Sequence, residues 1–350
     1  SGAPASDGPV AAVGEGAIGE AAWDAAVRAV RGLGPDSRVQ LVCHVNPDGD
    51  ALGSMLGLAL GLRLSGVRNL RASFPGVFDV PGSLDAMPGL DLLVPEAQAW
   101  PEPDLLLVFD VAAESRMGAL AGLLTSARAS VVLDHHATHT GFGEVQLVDP
   151  RAAATSVVAL ELLDRLGIPV DREIAECLYI ALVTDTGSFR FDMTTPRVHE
   201  MAARLIRAGV RPAEIARRVL DNRPFGAVKL FADALTRAQL DPAAAGGLGL
   251  VWTWATLDDL ERHGQQPYVL DALIDPVRCV AEVDVSVVVK QTGAEEWAVS
   301  LRSKGAVDVS AVAMALGGGG HRLAAGFTGH GTPEDVISTV RDELARRCSK

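Results

Sequence analysis

Val39-Gln40-Leu41-Val42-Cys43-His44-Val45-Asn46-Pro47-Asp48-Gly49-Asp50 begins as an apolar run and ends as a polar turn. Residues 39–43 have the length and composition of a buried strand. Pro47 and Gly49 supply the fixed and the permissive backbone angles of a tight turn. Residues 51–64 then carry helical spacing. Strand, loop and helix in that order form the repeating unit of a parallel sheet, and the unit recurs. Further short apolar runs stand at 70–74, 105–109 and 131–133, with helical segments between them. Two more helices are expected at 153–166 and 172–183, stopped by Gly167 and Gly187. The fold class is therefore α/β, with a parallel-sheet N-terminal domain that has helices on both faces.

The pattern changes past residue 195. Residues 196–220 read as helical and polar on one side, interrupted near Gly209 and Pro212, and carry no evident chemistry. They begin a helical connector assigned to 196–235. Alternating strands follow at 248–254, 279–290 and 297–301, with helices at 309–316 and 333–347, giving a smaller mixed α/β C-terminal domain over 236–350. At the other end, residues 1–19 are Ala, Gly, Pro and Ser with little periodicity and are read as a poorly ordered lead-in. The first domain then spans 20–195. No repeat of solenoid period is visible.

A chain of 350 residues can bury two cores, and its 48% hydrophobic and 21% charged content is that of an ordinary globular protein. The longest apolar stretch, 52–62, is broken by glycines and falls short of the roughly 20 residues a bilayer span needs. No basic segment leads into an apolar one, so neither a secretory signal nor a membrane partner is expected. Cys43, Cys177, Cys279 and Cys348 lack any Cys-x-x-Cys spacing, which argues against a disulfide framework and a zinc-thiolate site. They are read as reduced thiols of a cytoplasmic protein. A formal charge of -13 opposes binding of long nucleic acid, whose affinity comes from basic side chains on phosphates. A small phosphate ligand needs only a local positive centre, and metal ions supply one inside a cluster of carboxylates.

Four groups of residues suggest such a centre. His44, Asp48 and Asp50 share one loop at a strand end, where open parallel sheets bind ligands. The bland reading is a polar turn in which Asp50 caps the helix. Asp110 follows the apolar run 105–109, and alone it would pass for a turn residue. Asp134-His135-His136 follows 131–133, and adjacent histidines there have little structural purpose. Asp185 ends a helix, where the macrodipole disfavours a carboxylate unless something positive is near. Three of the four groups end successive strands of one sheet, so they converge on one edge. Imidazole and carboxylate ligands in this mixture suit Mn(II) or a similar divalent ion, and two ions sharing a carboxylate can activate water for attack on phosphorus.

Together these motifs resemble the DHH-type phosphoesterases. Gly317-Gly318-Gly319-Gly320-His321-Arg322, with Ala324-Ala325-Gly326, resembles the glycine-rich motif of their associated C-terminal domain. The resemblance runs through the chain from about residue 20 in the correct order, and is greatest to bacterial oligoribonuclease and cyclic di-AMP phosphodiesterase enzymes, a subfamily that includes adenosine 3',5'-bisphosphate phosphatases. It implies that His44 and Asp48 hold one manganese, that Asp50, His135 and Asp185 hold a second, and that Asp110 bridges them. It makes Asp134 the partner that orients His135. His136 then faces the scissile phosphate, stabilising its oxygens or protonating the leaving group.

The glycine run, with Gly318, Gly319 and Gly320 at its centre, reads either as a flexible hinge or as a nest whose backbone N–H groups close on phosphate, with His321 and Arg322 beside it. The resemblance places Arg302 against the nucleotide, where its fork suits a phosphate, and sets Arg302 and His321 on the distal parts of the substrate. Arg116 matches an arginine near the metals, with an exposed helix residue as the alternative. Phe189 and Arg190 are candidates for base contact, with a core Phe as the alternative. The implied activity is hydrolysis of cyclic di-AMP and very short oligonucleotides such as pApA to 5'-mononucleotides. An adenosine bisphosphate phosphatase is the nearest alternative. A nucleotide sensor without turnover would be expected to have lost metal ligands. The sequence leaves open whether the chain pairs as a homodimer.

Overall fold

The structure is a computed structural model in which residues 18–348 are described. The lead-in assigned to 1–19 lies outside the described residues except for its last two positions. The first half is built on five parallel strands, β1 (Arg38–Val42), β2 (Asn69–Ser73), β3 (Leu105–Phe109), β4 (Ser130–Asp134) and β5 (Val145–Val148). Their spatial order is β2-β1-β3-β4-β5. Strands β3 and β4 are buried at every position, which is why they read as unbroken apolar runs. Strand β5 is absent from the sequence reading. It is an edge strand of four residues with only Leu147 buried, too short and too polar to stand out.

Helices Glu20–Arg31, Gly49–Leu64, Thr155–Leu166, Arg172–Asp185 and Pro196–Arg207 contribute to the core on one face of this sheet. On the other face Val42, Leu106, Val108 and Val132 are closed off by Met117, Leu120 and Leu123. Those three come from a 3₁₀ segment, Glu114–Gly122, that runs into the short helix Leu123–Ser126.

Helix Gly49–Leu64 is buried from Gly49 to Leu62, so it lies inside the domain and not on its surface. Its glycines at 49, 53, 57 and 61 recur every fourth residue and share one face. A Cβ on Gly53 would stand 2.4 Å from the Cys177 carbonyl oxygen, and one on Gly49 would stand 2.5 Å from Thr184 Oγ1. The glycines therefore let helix Arg172–Asp185 approach almost backbone to backbone. That approach delivers Asp185 to the turn that carries Asp50.

The expected connector divides between two cores. Val198, Met201, Ala202 and Leu205 of helix Pro196–Arg207 pack into the first domain. Ala227, Leu230, Phe231 and Ala234 of helix Phe225–Thr236 pack against the second sheet. That sheet has six strands, β6 (Gln239–Asp241), β7 (Leu250–Ala255), β8 (Val285–Gly293), β9 (Glu296–Ser303), β10 (Gly319–His321) and β11 (Ala324–His330), in the order β10-β11-β9-β8-β7-β6. Only β7 and β8 run parallel.

Two expectations are corrected here. The strand expected over 279–290 starts only at Val285, because Asp284 is used by a loop: it accepts from Ser303 Oγ and from the N–H groups of Ala306 and Val307. The second concerns β10 and β11, which lie in the segment read as a glycine motif. Glycine has poor strand propensity, so no alternating pattern announced them.

Candidate active site

His44, Asp110 and the Asp134-His135-His136 segment stand at the carboxyl ends of β1, β3 and β4, three neighbours in the sheet. Asp110 adopts a left-handed φ of 58°, uncommon for a residue with a side chain. Its N–H still donates to the Leu133 carbonyl at 2.9 Å, so the sheet holds that conformation one residue past β3. Asp48, not Asp50, caps helix Gly49–Leu64, accepting from the N–H groups of Asp50 and Ala51 at 3.1 and 3.0 Å. Asp50 lies inside the first turn, buried, and accepts from the N–H groups of Thr155 at 2.7 Å and Ser156 at 3.2 Å.

Both imidazoles are fixed from behind. His44 Nδ1 donates to the Val45 carbonyl at 2.8 Å and His135 Nδ1 donates to the Ala152 carbonyl at 3.1 Å. A carbonyl only accepts, so Nδ1 keeps its proton and Nε2 is the ring nitrogen that faces the carboxylates and is free to take a metal ion in place of a proton. Arg116 lies 3.2 Å from His44 Nδ1 but competes there as a second donor, so we assign that proton to the shorter carbonyl bond. His44 Nε2 is 3.5 Å from Asp110 Oδ2 and 3.9 Å from Asp48 Oδ1. His135 Nε2 is 3.3 Å from Asp185 Oδ2 and 3.6 Å from both Asp50 Oδ2 and Asp110 Oδ1.

These distances suit shared cations. Bonds of about 2.1 Å at right angles put neighbouring donors about 3 Å apart and opposite ones about 4.2 Å apart. His44, Asp48 and Asp110 form one such group, and Asp50, Asp110 and His135 form another, with Asp110 in both. The electrostatics agree. Burial, then the charges of Asp110 and Asp185, push the Asp50 carboxyl well above its ordinary pKa. Burial, Asp110 and Asp48 do the same to Asp185. Burial opposes the charge of Asp110 as well, but His44, His136 and His135 outweigh it and hold its pKa below the ordinary value. Carboxylates this close repel one another unless a cation lies between them, so the donor set fits divalent ions.

Asp134 differs from the expectation that it orients His135. That ring is held by the Ala152 carbonyl, and Asp134 takes only the backbone N–H of His135, at 2.8 Å. Its carboxylate instead accepts from His136 Nδ1 at 2.7 Å and from His139 Nδ1 at 2.8 Å. Burial opposes the Asp134 charge, yet these two bonds bring its pKa down to about 2. Burial likewise opposes a charged His136, but the bond to Asp134 and the charge of Asp110 raise its pKa to about 9. Sequence reasoning missed His139 and Thr155. Thr155 Oγ1 donates to Asp110 Oδ1 at 3.0 Å.

From the second domain, His321 reaches the same edge. Its ring centroid is 4.9 Å from those of both His135 and His136, stacked on the latter. This corrects its expected place on a distal part of the substrate. Burial and the two neighbouring imidazoles lower its pKa to about 4. The nest reading of the glycines is narrowed by the hydrogen bonds of the first two. The Gly317 and Gly318 N–H groups donate to the Met314 and Ala313 carbonyls, and Gly319 and Gly320 belong to β10. A Cβ on Gly318 would fall 2.1 Å from the Gly326 carbonyl oxygen, so close strand packing demands glycine there. Arg322 donates to the Gly305 carbonyl at 2.8 Å, and its charge is felt by Asp308. Arg302 donates to the Leu301 carbonyl, and its charge is felt by Asp185. Arg190 Nε donates to the Gly187 carbonyl, and Phe189 packs between Tyr179 and His199, which favours the core reading of that Phe.

Comparison with known proteins agrees with this geometry. Residues 38–182 match the DHH family, N-terminal domain, and residues 256–350 match the DHHA1 domain. The bifunctional oligoribonuclease and PAP phosphatase NrnA of Thermus thermophilus is 34% identical over 88% of this chain and 90% of its own length. The cyclic-di-AMP phosphodiesterase GdpP of Geobacillus thermodenitrificans is 28% identical over 83% of this chain and 44% of its own. An exopolyphosphatase-related protein from Bacteroides fragilis shares the fold, with a TM-score of 0.83 at 22% identity, covering 95% of this chain and 98% of that one. Among the described residues no helix is long and apolar enough to cross a membrane. With its strand-end His and Asp cluster faced by a second domain, the chain belongs to the DHH family of phosphoesterases and carries a DHHA1 domain.

Proposed function

We propose that this chain hydrolyses short nucleotide phosphodiesters, pApA and cyclic di-AMP among them, to 5'-mononucleotides with a free 3'-hydroxyl, using two Mn(II) ions. The observation that carries the reading is Asp110, which joins the group of His44 and Asp48 to that of Asp50 and His135, with His321 of the second domain standing beside His135 and His136. His44, Asp48 and Asp110 would hold one ion, and Asp50, Asp110, His135 and Asp185 the other. Divalent ions bound there supply an activated water and a counter-charge for the phosphoryl oxygens.

The chain's own groups do the rest. Asp134 anchors His136 through Nδ1, which leaves its Nε2–H to donate to a phosphoryl or leaving oxygen. His321, with its lowered pKa, is uncharged at neutral pH and offers a hydrogen bond without adding charge beside the cations. Arg302 contributes positive charge near Asp185, and Arg116, exposed beside His44, is placed to meet a phosphate as it enters. Closure of the second domain over this edge limits the substrate to something small, in keeping with the net charge of -13.

A second reading, a phosphatase of adenosine 3',5'-bisphosphate, draws support from the name of the Thermus relative. The test is to incubate the protein and Mn(II) with cyclic di-AMP, pApA, a five-mer RNA and adenosine 3',5'-bisphosphate, then separate the products. AMP from the dinucleotides is expected. Phosphate released from the bisphosphate with the dinucleotides intact selects the second reading. No turnover of any of them, with Mn(II) or Mg(II), overturns both.

A further inference from the structure

The geometry assigns His139 a part in the reaction as a positioning residue, which acts on His136 through the carboxylate of Asp134. The inference rests on the reading of His136 as the group that donates to the substrate. Asp134 is fully buried, and its two oxygens are served unequally. Oδ1 accepts from the backbone N–H of His135 at 2.8 Å and from His136 Nδ1 at 2.7 Å. Among the described residues, Oδ2 has a single donor, His139 Nδ1, at 2.8 Å.

His139 Nδ1 also lies 3.2 Å from the Val111 carbonyl. Both neighbours are acceptors, so the proton is on Nδ1 and is aimed at Asp134. The opposite ring nitrogen, Nε2, is buried with no hydrogen-bond partner, a cost accepted at a site where only one edge of the ring is used. The ring is held flat against Phe142, with centroids 4.9 Å apart and planes 27° apart. Its backbone is pinned on both sides, since the His139 N–H donates to the His136 carbonyl and the Thr140 N–H to the Ala112 carbonyl.

Removing the His139 donor leaves Oδ2 of a buried carboxylate bare. The carboxylate then gains by rotating toward other donors, and the His136 Nδ1 bond loses its fixed direction. His136 sits at the open end of this chain, stacked on His321, where a swing of its ring misplaces the proton offered to the substrate. The turn His136-Ala137-Thr138-His139 is thus a brace for the catalytic imidazole.

Two variants separate bracing from packing. In His139→Asn the amide Nδ2 is bonded to Cγ as the imidazole Nδ1 is, so the donor survives while ring packing is lost. In His139→Phe the stack on Phe142 survives and the donor is lost. With Mn(II) and pApA, His139→Phe should lower kcat about 10- to 100-fold, as loss of an orienting partner does. KM and bound metal per chain should stay at the parent's values, and His139→Asn should stay within a few-fold of the parent.

A second readout needs no turnover. In the full chain with diamagnetic Mg(II), the downfield Nδ1–H resonance of His136 should be retained in the parent and His139→Asn and lost to exchange in His139→Phe. An equally sharp resonance in His139→Phe overturns the role, and so does a His139→Asn variant as slow as His139→Phe. If the parent itself turned over no nucleotide, the functional reading would fall while the resonance still decided the role of His139.

Discussion

Thr155 donates its hydroxyl to Asp110 Oδ1 at 3.0 Å, across 45 residues of chain and in the buried interior. The same residue donates its N–H to Asp50 Oδ2 at 2.7 Å, so the first turn of helix Thr155–Leu166 grips two of the proposed ligands at once. Thr155→Val keeps the shape and the backbone donor but removes the hydroxyl. Mn(II) affinity, measured by calorimetric titration, should fall by about 10- to 100-fold. A Val variant that binds Mn(II) as the parent does would remove Thr155 from this supporting role.

Asp110 belongs to both donor groups, so its loss should be felt by both ions. Asp110→Asn is expected to carry fewer than half the parent's metal ions per chain by elemental analysis, and to lose turnover of pApA altogether. Asp48→Asn, at an exposed ligand of one group only, should lose less metal. Equal losses in the two variants would mean that Asp110 is not shared.

How much of this could be read beforehand depends on how local each signal is. The loop from His44 to Asp50 and the triplet at 134–136 end apolar runs, and a parallel sheet sends such ends to one edge whatever the details of packing. Thr155 and His139 carry no such mark. Each is an ordinary polar residue whose partner is set by tertiary approach. In the sequence the glycines at 53, 57 and 61 stand out only as breaks in an apolar run, and Gly49 only as a turn residue. Their purpose appears once helix Arg172–Asp185 lies against them. Strands β10 and β11 were hidden for a related reason, since the small residues that let them pack closely also erase the alternation that identifies a strand.

Protonation of His136 should be visible in stability. In the metal-free protein its pKa is raised from 6.5 to about 9, with the bond to Asp134 overcoming burial. The stabilisation is therefore complete below about pH 6.5 and is lost as pH rises through about 9. Asp134, lowered from 3.8 to about 2, contributes above pH 3.8 and loses its contribution as pH falls through about 2. After chelation, the gap in Tm between the parent and His136→Gln should be widest near pH 5 to 6 and should close by about pH 9.5. Adding Mn(II) should move that closure to lower pH, because nearby cations disfavour the imidazolium. A gap independent of pH would show that His136 is not charged in the metal-free fold.

Arg302 distinguishes a clamp on the nucleotide from a part of the reacting centre. It stands on β9 next to the strand that carries Ala324 and Ala325, and its charge reaches Asp185, so either role fits its position. A charge-assisted hydrogen bond contributes roughly 1.5 to 3 kcal/mol, and Arg302→Ala should therefore lower kcat/KM for pApA by about one to two orders of magnitude. If Arg302 grips the nucleotide, a small activated diester such as bis(p-nitrophenyl) phosphate should be hydrolysed by the variant about as fast as by the parent, since it never used the lost contact. Bound metal should also be unchanged. If the small diester slows in proportion and metal is lost as well, Arg302 acts by offsetting the charge of Asp185 at the metal edge, and the two-domain clamp is wrong in that respect.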